Sequence, residues 1–324
     1  MHQKGIFLAK PRGFCAGVKR AIAIVNEALD RYDAPVYVLH EIVHNTHVIN
    51  GLAEKGAIFV KTLEEIPKGS VTIFSAHGVA QIIEDQANIL GLNTIDAICP
   101  LVSKVHRRVV RLNKIDYDVL VIGHKGHPEV EGTCGRVQGR VQVISTAEDI
   151  LKLHIKDPTQ VGYVTQTTLS MDDAGELIGL LKNKFPEISA PDRTDICYAT
   201  QNRQTAVHDL AGKVDVFLVV GSKNSSNSNR LREVAEKSGI QAYLIDHVDE
   251  INSFWLQNAE KIGVTAGASA PEILVQEVVA WLKAFGLTTV YEIDGVTELT
   301  KFDLPELPNF EYNRHSNVTC QNKT

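Results

Sequence analysis

The sequence predicts an α/β protein built from three repeated modules, and three observations support this prediction. Short apolar runs with β-like character alternate with helix-like stretches, a pattern typical of parallel α/β architecture. At three places a single cysteine lies between a β-like run and a helix-like stretch, at Cys15, Cys99 and Cys197. The loops that follow these cysteines recur at similar spacings, so we expect the same unit three times.

The spacing of the loops supports the repeat. The β-like runs before the cysteines are residues 5–9, 94–98 and 195–196. A second loop begins 25, 24 and 24 residues after the cysteine, at His40, Gly123 and Gly221. A third loop begins 60, 66 and 68 residues after it, at Ser75, Thr165 and Thr265. We therefore predict modules at residues 1–91, 92–190 and 191–285, followed by a C-terminal extension at 286–324.

The repeat predicts where a functional site lies. Ligands of parallel sheets bind at the carboxyl ends of the strands, where all of these loops are expected. If three-layer modules face one another around a pseudo-threefold axis, in a trefoil-like arrangement, the three cysteines converge at one point. In the extension, residues 287–296 suggest an added strand, and the Pro- and Asn-rich end suggests an arm or a disordered tail.

Composition excludes several classes of protein. The 324 residues are 44% hydrophobic and 22% charged, with a net charge of -6 and no evident basic cluster, which argues against nucleic-acid binding. No apolar run reaches the roughly 18–20 residues that span a bilayer. The N-terminus leads directly into an apolar run, which leaves no room for a signal peptide. We expect a cytoplasmic protein that binds neither nucleic acid nor membrane.

The cysteines favour a metal centre over disulfides. There are five, at positions 15, 99, 134, 197 and 320, an odd and widely spaced set. Three converging thiolates leave one coordination position open, which is typical of a catalytic metal site. The residues alone allow a [4Fe–4S] cluster or a zinc ion bound by three cysteines and a histidine. A cavity between modules suits the bulky cluster better, and Cys134 and Cys320 receive no ligand role.

One motif is interpreted as accidental. Residues 40–44 match the zinc-protease pattern H-E-x-x-H, in which both histidines must lie on one face of a helix. Here the motif directly follows the β-like run PVYVL, so His40 is expected to end a strand rather than to lie in a helix.

Nine motifs between residues 5 and 285 are long and jointly specific. They are PRGFCAGV, HEIVHN, FSAHGV, CPLVSKVH, GHKGHPEVEG, TQTTLS, CYATQNRQ, GSKNSSNSNRL and TAGASAP. Together they resemble the 4-hydroxy-3-methylbut-2-enyl diphosphate reductase family. That family performs the last step of the methylerythritol phosphate route to isoprenoids. It removes a hydroxyl group reductively from an allylic diphosphate, which gives isopentenyl and dimethylallyl diphosphate.

The resemblance implies roles for individual residues. Three α/β domains would surround a [4Fe–4S] cluster bound by Cys15, Cys99 and Cys197, with one iron free to bind substrate. Glu129 matches the proton source, and Thr167 matches a hydroxyl that contacts substrate and orients or relays the proton. Glu131 is a nearby alternative to Glu129.

The resemblance also implies a set of groups that bind the diphosphate. The residues that match it are His44, His77, His127, Thr167, Ser225, Ser226, Asn227 and Ser269. Backbone amides at helix N-termini would add donors. The histidines would supply positive charge near neutral pH, because an adjacent polyanion raises their pKa.

The source of electrons and two other functions stay open at this point. The chain shows no GxGxxG fingerprint at a strand–helix junction and no second cluster motif, so we expect an external donor of the ferredoxin or flavodoxin type. Two alternative functions are a zinc-dependent phosphoester hydrolase and a non-catalytic iron–sulfur sensor.

Overall fold

The structure is a computed structural model that describes residues 4–32 and 35–310. Cys320 and the end of the extension, residues 311–324, lie outside the described residues. The strands are β1 (Gly5–Leu8), β2 (Val36–Leu39), β3 (Ala57–Val60), β4 (Val71–Phe74), β5 (Asn93–Asp96), β6 (Asp118–Ile122), β7 (Val141–Ile144), β8 (Val161–Thr165), β9 (Val216–Val220), β10 (Gln241–Ile245), β11 (Lys261–Ala266) and β12 (Val290–Glu292). The helices are α1 (Ala16–Tyr32), α2 (Thr46–Ala53), α3 (Gln81–Ile89), α4 (Pro100–Lys114), α5 (Pro128–Cys134), α6 (Ala147–Leu151), α7 (Met171–Lys184), α8 (Tyr198–Ala211), α9 (Ser226–Lys237) and α10 (Glu272–Ala284).

The strands form three parallel sheets, which confirms the predicted α/β fold class. The first sheet has the order β3-β2-β4-β5, the second β7-β6-β8, and the third β10-β9-β11-β1-β12. Every pairing between these strands is parallel. The predicted second and third loops do follow strands, because they begin at the ends of β2, β6 and β9 and of β4, β8 and β11.

The strands and helices follow from their apolar patterns. β6 reads DVLVI and β9 reads VFLVV, and every residue of both is buried. A parallel sheet that is covered on both faces requires such continuous apolar runs. In α1 the buried face consists of Val18, Ala21, Val25 and Ala28, at the three- and four-residue spacing of an amphipathic helix.

Each sheet contains a strand or bridge that leads to the cysteine of the next unit. β1, which precedes Cys15, pairs with β11 of the third sheet, whereas α1 packs on the first sheet. β5, which precedes Cys99, pairs with β4 of the first sheet, whereas α4 packs on the second. The chain therefore passes from one sheet to the next at these cysteines, which places both of them between modules.

The third passage of the chain between sheets, before Cys197, differs from the sequence-based expectation. Residues 195–196 do not form a strand, and the nearest pairing is an isolated parallel bridge between Ser189 and Gly162. The carboxylate of Asp195 instead accepts a hydrogen bond from the backbone amide of Thr165, at 3.2 Å. A side chain here replaces the backbone ladder, because the apolar run before Cys197 is too short to add a strand.

The module boundaries at 91/92, 190/191 and 285/286 stay a prediction about the chain. The hydrogen-bonded sheets do not follow them, since β1 lies in the third sheet and β5 in the first.

The described part of the C-terminal extension packs against the three modules. β12 pairs with β1, which confirms the added strand. Leu307 is 2% exposed in the core beneath α1, and the Glu298 carboxylate binds the fully buried guanidinium of Arg203. For residues 302–310 of the Pro- and Asn-rich end, the structure shows a packed arm without regular secondary structure and not a disordered segment, because apolar contacts such as that of Leu307 hold it in place.

One surface feature contradicts the expectation that the chain has no basic cluster. Helix α4 contains five Lys and Arg residues and no Asp or Glu. Four of the five are exposed, and we call them the basic stripe: Lys104, Arg107, Arg111 and Lys114. The negative net charge of the whole chain conceals this local excess. Among the described residues, no helix is long and apolar enough to cross a membrane.

Candidate active site

Three cysteines lie at the starts of three helices. Cys15, Cys99 and Cys197 each directly precede the first residue of α1, α4 and α8. The sulfur of Cys15 accepts a hydrogen bond from the Val18 amide and that of Cys197 from the Thr200 amide, each at 3.4 Å. First-turn amides of a helix lack intrahelical partners and carry partial positive charge. The three helix starts therefore offer partial positive charge to these sulfurs once a bound metal group makes them thiolates.

The structure brings every predicted site residue into one cavity. The predicted residues that line it are Cys15, His44, His77, Cys99, His127, Glu129, Thr167, Cys197, Ser225, Ser226, Asn227 and Ser269. The convergence expected from the three repeats is thus present at the carboxyl ends of the strands. The cavity also contains residues that the sequence reasoning did not select, including Gly17, Tyr198, Thr200 and Phe302.

Gly17 allows helix α1 to approach two of the cysteine sulfurs closely. A Cβ atom on this residue would lie 2.6 Å from the sulfur of Cys99 and 3.8 Å from that of Cys15. Both sulfurs therefore flank the same point of α1, and a side chain here would occupy their space. The motif CAGV contained a sequence signal for this close approach. It places a glycine two residues after the cysteine, in the first turn of a helix whose geometry does not require glycine.

The spacing of the donors suits a group larger than one ion. A tetrahedral zinc ion has Zn–S bonds of about 2.3 Å, so its sulfur ligands lie within about 4 Å of one another. Among the described residues, no three His, Cys, Asp or Glu side chains converge tightly enough to bind a single ion. Three thiols in one cavity are instead the ligand set of an iron–sulfur cluster, which is bound at its corners.

The raised pKa values of two of the thiols mean that their thiolate forms need a cationic group between them. Burial raises the pKa of Cys99 to about 12 and that of Cys197 to about 11, and the neighbouring Cys15 thiol adds to both shifts. Without a cationic group both thiols stay protonated at neutral pH. A bound metal group compensates the charge of the thiolates, so its binding releases their protons.

Glu129 is a buried carboxyl group in the same cavity. Its side chain belongs to α5, the residue is 3% exposed, and burial raises its pKa to about 7. The backbone amide of Thr167 donates to one carboxyl oxygen at 2.6 Å and the Thr167 hydroxyl to the other at 2.9 Å. A carboxyl with a pKa near neutral pH is suited to proton donation. The alternative, Glu131, is exposed and does not line this cavity.

Three histidine rings form a cluster beside the cysteines. The rings of His44 and His77 stack with centroids 4.2 Å apart, and His127 lies 5.7 and 5.9 Å from them, edge-on. The Glu129 amide donates to Nδ1 of His127 at 3.1 Å, and Nδ1 of His44 lies 2.9 Å from the carboxylate of Glu41. The Nε2 atoms of His44 and His127 are buried without a hydrogen-bond partner among the described residues. These two nitrogens are therefore available to a ligand.

The histidine cluster is poised to respond to an anion. Burial lowers the pKa of His127 to about 4 and that of His77 well below its usual value, and the neighbouring histidines add to both shifts. The two rings are therefore neutral in the absence of a ligand. A bound polyanion would raise both pKa values, because it stabilises the protonated rings.

The polar wall opposite the histidines is the start of α9. Ser225 caps this helix, and its hydroxyl accepts from the Ser228 amide at 3.3 Å. The Ser269 hydroxyl donates to the carbonyl of His44 at 2.8 Å, and the side-chain oxygen of Asn227 accepts from the Ala268 amide at 2.8 Å. These bonds fix the loops together and aim the positive end of α9 at the cavity, an arrangement that favours a phosphate group.

The zinc-protease motif is not helical, as the sequence analysis interpreted it. His40 has a positive φ of 60° just after β2, and no residue from 40 to 44 lies in a helix. The two histidines cannot share a helix face, so the match to H-E-x-x-H is accidental. His44 has a place in the cavity for a different reason, as part of the histidine cluster.

Phe302 shows what the sequence could not reveal. It comes from the C-terminal extension and lines the cavity beside residues of all three sheets. The extension matches no motif and forms little regular structure, so no pattern in the sequence places this ring near the cysteines. Its position follows from tertiary packing of the extension alone.

The fold and the cavity define a class of parallel α/β protein in which three cysteine thiols face a histidine- and serine-rich pocket suited to an anion. The LytB protein family matches residues 6–283, and the chain belongs to this family.

Several relatives share most of the chain. It is 54% identical over 305 residues to the 4-hydroxy-3-methylbut-2-enyl diphosphate reductase of Aromatoleum aromaticum, with 94% of this chain and 98% of the relative covered. It is 55% identical over 300 residues to the 4-hydroxy-3-methylbut-2-enyl diphosphate reductase 2 of Burkholderia mallei, with 93% and 92% covered. The resemblance found in the sequence motifs is thereby confirmed.

Solved structures agree with the fold. The E-1-hydroxy-2-methyl-but-2-enyl-4-diphosphate reductase of Plasmodium falciparum has a TM-score of 0.91 and 41% identity, with 94% of this chain and 96% of that chain covered. A second structure, of (E)-4-hydroxy-3-methyl-but-2-enyl diphosphate reductase, has a TM-score of 0.61 and 33% identity, with 86% and 99% covered. Both likenesses support the arrangement of three parallel sheets.

Proposed function

We propose that this protein is an iron–sulfur oxidoreductase that removes the hydroxyl group of (E)-4-hydroxy-3-methylbut-2-enyl diphosphate and gives isopentenyl and dimethylallyl diphosphate. Membership of the LytB family and the names of its relatives support the reaction. The observation on which the site assignment depends is the position of Glu129, a carboxyl group with a pKa of about 7 in the cavity that the three cysteines share.

Cys15, Cys99 and Cys197 are assigned to the cluster. Their sulfurs are the donors that iron–sulfur clusters require, and among the described residues no three His, Cys, Asp or Glu side chains are grouped as ligands of a single ion. A [4Fe–4S] cluster bound there would supply electrons and one iron atom without a protein ligand. The three cysteines directly precede the first residues of α1, α4 and α8, and this position fixes the directions of their thiols.

The histidine cluster and the start of α9 are assigned to the diphosphate. Nε2 of His44 and of His127 have no partner among the described residues. Nδ1 of His127 accepts from the Glu129 amide, so the proton of the neutral ring lies on Nε2, which would donate to a phosphate oxygen. Nε2 of His44 would contact the same ligand. Ser225, Asn227 and Ser269 form the opposite wall, where the positive end of α9 adds to the attraction. This placement orients the allylic end of the substrate toward the cysteines.

Glu129 and Thr167 are assigned to proton delivery. The reaction breaks a C–O bond, forms a C–H bond and releases water, so it consumes two electrons and two protons. Glu129 is protonated over much of the neutral range, and the Thr167 hydroxyl at 2.9 Å can accept that proton and pass it on. The hydrophobic burial that raises the pKa also excludes bulk water from the reacting end of the substrate.

The two alternative functions fit the site less well. A zinc hydrolase requires three or four ligands around one ion, and the described donors do not converge in that way. A sensor needs no buried acid beside its cluster, whereas Glu129 is 3% exposed and close to neutral pKa. Electrons would come from an external carrier protein of the ferredoxin or flavodoxin type.

The test is an anaerobic assay of the purified holoprotein with dithionite and (E)-4-hydroxy-3-methylbut-2-enyl diphosphate. We expect isopentenyl and dimethylallyl diphosphate as products, formed only when the reductant is present. Release of free phosphate or diphosphate without a reductant would support the hydrolase. Binding of the diphosphate without any product, in protein that contains its iron and sulfide, would support the sensor.

A further inference from the structure

Helix α4 has a charge that the rest of the chain does not explain. It contains five Lys and Arg residues and no acidic residue, whereas the whole chain has a net charge of -6. Arg108 is buried, and its guanidinium donates to the carbonyls of Tyr163 and Ser189. The other four cations form the basic stripe on the exposed side of the helix.

The basic stripe is continuous. Its members, Lys104, Arg107, Arg111 and Lys114, are spaced by three, four and three residues, which places them on one face of the helix. None of the four forms a salt bridge within the described part of the chain, although most other arginines there do. Arg111 and Lys114 lie in the last turn, where the helix dipole favours cations, but Lys104 and Arg107 have no such compensation, so a function outside the fold is the better explanation for the continuous row.

The stripe borders a surface depression that begins next to Cys99. The depression is open to solvent, and its walls include Ile98, Ser103, Arg107 and Arg111. Ile98 directly precedes Cys99, and the Ser103 amide donates to the Cys99 carbonyl at 2.9 Å. At 1.5 Å of rise per residue, Arg107 lies about 12 Å along the helix from Cys99. The stripe thus borders a depression whose wall includes the residue that directly precedes Cys99.

We propose that the basic stripe of α4 docks the acidic face of a small electron-carrier protein and admits its electrons beside Cys99. This rests on the proposed function, in which each turnover takes two electrons, while the carrier is oxidised and the substrate hydroxyl leaves as water. Complementary charge accelerates such encounters and orients the partners without requiring a large apolar interface. Arg107 and Arg111 are the central contacts, since they lie in the middle of the stripe.

The test compares two pairs of substitutions that change the net charge equally. Arg107→Glu/Arg111→Glu reverses the middle of the stripe. Lys213→Glu/Lys283→Glu reverses two exposed lysines before β9 and in the last turn of α10, neither of which forms a salt bridge in the described residues. Each holoenzyme is assayed with substrate and with either dithionite or an acidic flavodoxin as the reductant.

We expect the Arg107/Arg111 pair to raise the KM for flavodoxin roughly tenfold and to leave the dithionite-driven rate unchanged. The wild-type rate with flavodoxin should fall as salt is added, because salt screens the charges of the stripe. This salt dependence should be weaker in the variant, which lacks two of those charges. The Lys213/Lys283 pair behaves as the wild type in all three measurements. The neutral pair Arg107→Gln/Arg111→Gln should give a smaller rise in the KM.

Several results would overturn the proposal. Equal flavodoxin KM values for the two charge-reversed pairs would remove the stripe from the docking surface. A matching loss with dithionite would mean that the substitutions damage the enzyme itself. Binding of a short single-stranded RNA that disappears only in the Arg107/Arg111 pair, with an unchanged flavodoxin KM, would assign the stripe to nucleic acid. Absence of dithionite-driven turnover in the wild type would instead refute the proposed function and, with it, the need for a carrier.

Discussion

Thr167 donates both its backbone amide and its hydroxyl to the carboxyl group of Glu129, at 2.6 and 2.9 Å. The amide fixes the orientation of the carboxyl group, and the hydroxyl stands between it and the rest of the cavity. When Glu129 is protonated, the second hydrogen bond reverses its direction, so the Thr167 hydroxyl accepts the proton and is ready to donate its own. The proposed proton path therefore runs from Glu129 through the Thr167 hydroxyl into the cavity that both residues line.

Replacement of Glu129 tests this path. We expect Glu129→Gln to lower dithionite-driven turnover by at least about a hundredfold, because a positioned general acid contributes roughly that much. Glutamine can still accept the hydrogen bond from the Thr167 amide, so the iron content and the affinity for the diphosphate should remain. Glu131→Gln is the matched control, since Glu131 is exposed and lies outside the cavity. Normal turnover of Glu129→Gln would refute the role of this carboxyl group.

The pKa of Glu129 also makes the stability of the apoprotein depend on pH. Burial raises this pKa from 4.5 to about 7, so the folded state keeps a proton that the unfolded state has released. The contribution of Glu129 to the free energy of unfolding should therefore be fully present below pH 4.5. It should fall by about 3 kcal/mol as the pH rises to 7.

Denaturant unfolding of the apoprotein measures this dependence. Glu129→Gln removes the titrating group, so its unfolding free energy should decline less between pH 4.5 and 7 than that of the wild type. Glu131→Gln should keep the wild-type slope. Parallel curves for all three proteins would show that Glu129 does not titrate in this range.

Gly17 is expected to be required for cluster binding. A Cβ at this position would lie 2.6 Å from the sulfur of Cys99, so Gly17→Ala should displace that thiol and lower the iron content of the purified protein. Gly175 is the matched control in the interior of α7, where a Cβ would meet no atom within 4 Å. Gly175→Ala should keep the iron and stabilise the fold by about 0.4–1 kcal/mol. Equal iron content in the two variants would contradict the close approach of α1 to the sulfurs.

The C-terminal extension is held by one buried ion pair. Arg203 is fully buried and donates to both carboxyl oxygens of Glu298, at 2.9 and 3.2 Å. Glu298→Ala leaves that charge uncompensated, so it should lower the free energy of unfolding by about 3–5 kcal/mol. Lys156→Ala breaks an exposed pair with Asp116 and should change the free energy of unfolding far less, because solvent screens an exposed pair. Similar melting temperatures for the two variants would mean that the extension contributes little.

The sequence could predict the site because its residues follow repeated strand ends. Cys15, Cys99 and Cys197 occupy equivalent places in the three repeats, and the fold class follows from apolar runs such as those of β6 and β9. The sheet membership of β1 and β5 could not be predicted, since periodicity identifies a strand but not the sheet that it joins. The pairing of β1, for example, joins residues more than a hundred positions apart in the sequence, such as Gly5 and Lys261.

The position of the extension and the charge of α4 were missed for different physical reasons. Phe302 and Glu298 act through tertiary packing, which leaves no periodic signal in a segment without regular structure. The basic stripe was hidden by the net charge of the chain, and its alignment becomes visible only when residues three and four positions apart are placed on one helix face. A search for local charge along predicted helices would have found it.

The most direct test of the central claim is the iron and sulfide content of anaerobically purified protein in which single cysteines are replaced. The wild type should contain about four iron and four sulfide ions per chain. Cys15→Ala, Cys99→Ala and Cys197→Ala should each lose most of both, whereas Cys134→Ala, which changes a cysteine outside the cavity, should keep them. Stoichiometric zinc in the wild type, or an iron content that is the same in all four variants, would contradict a cluster bound by these three cysteines.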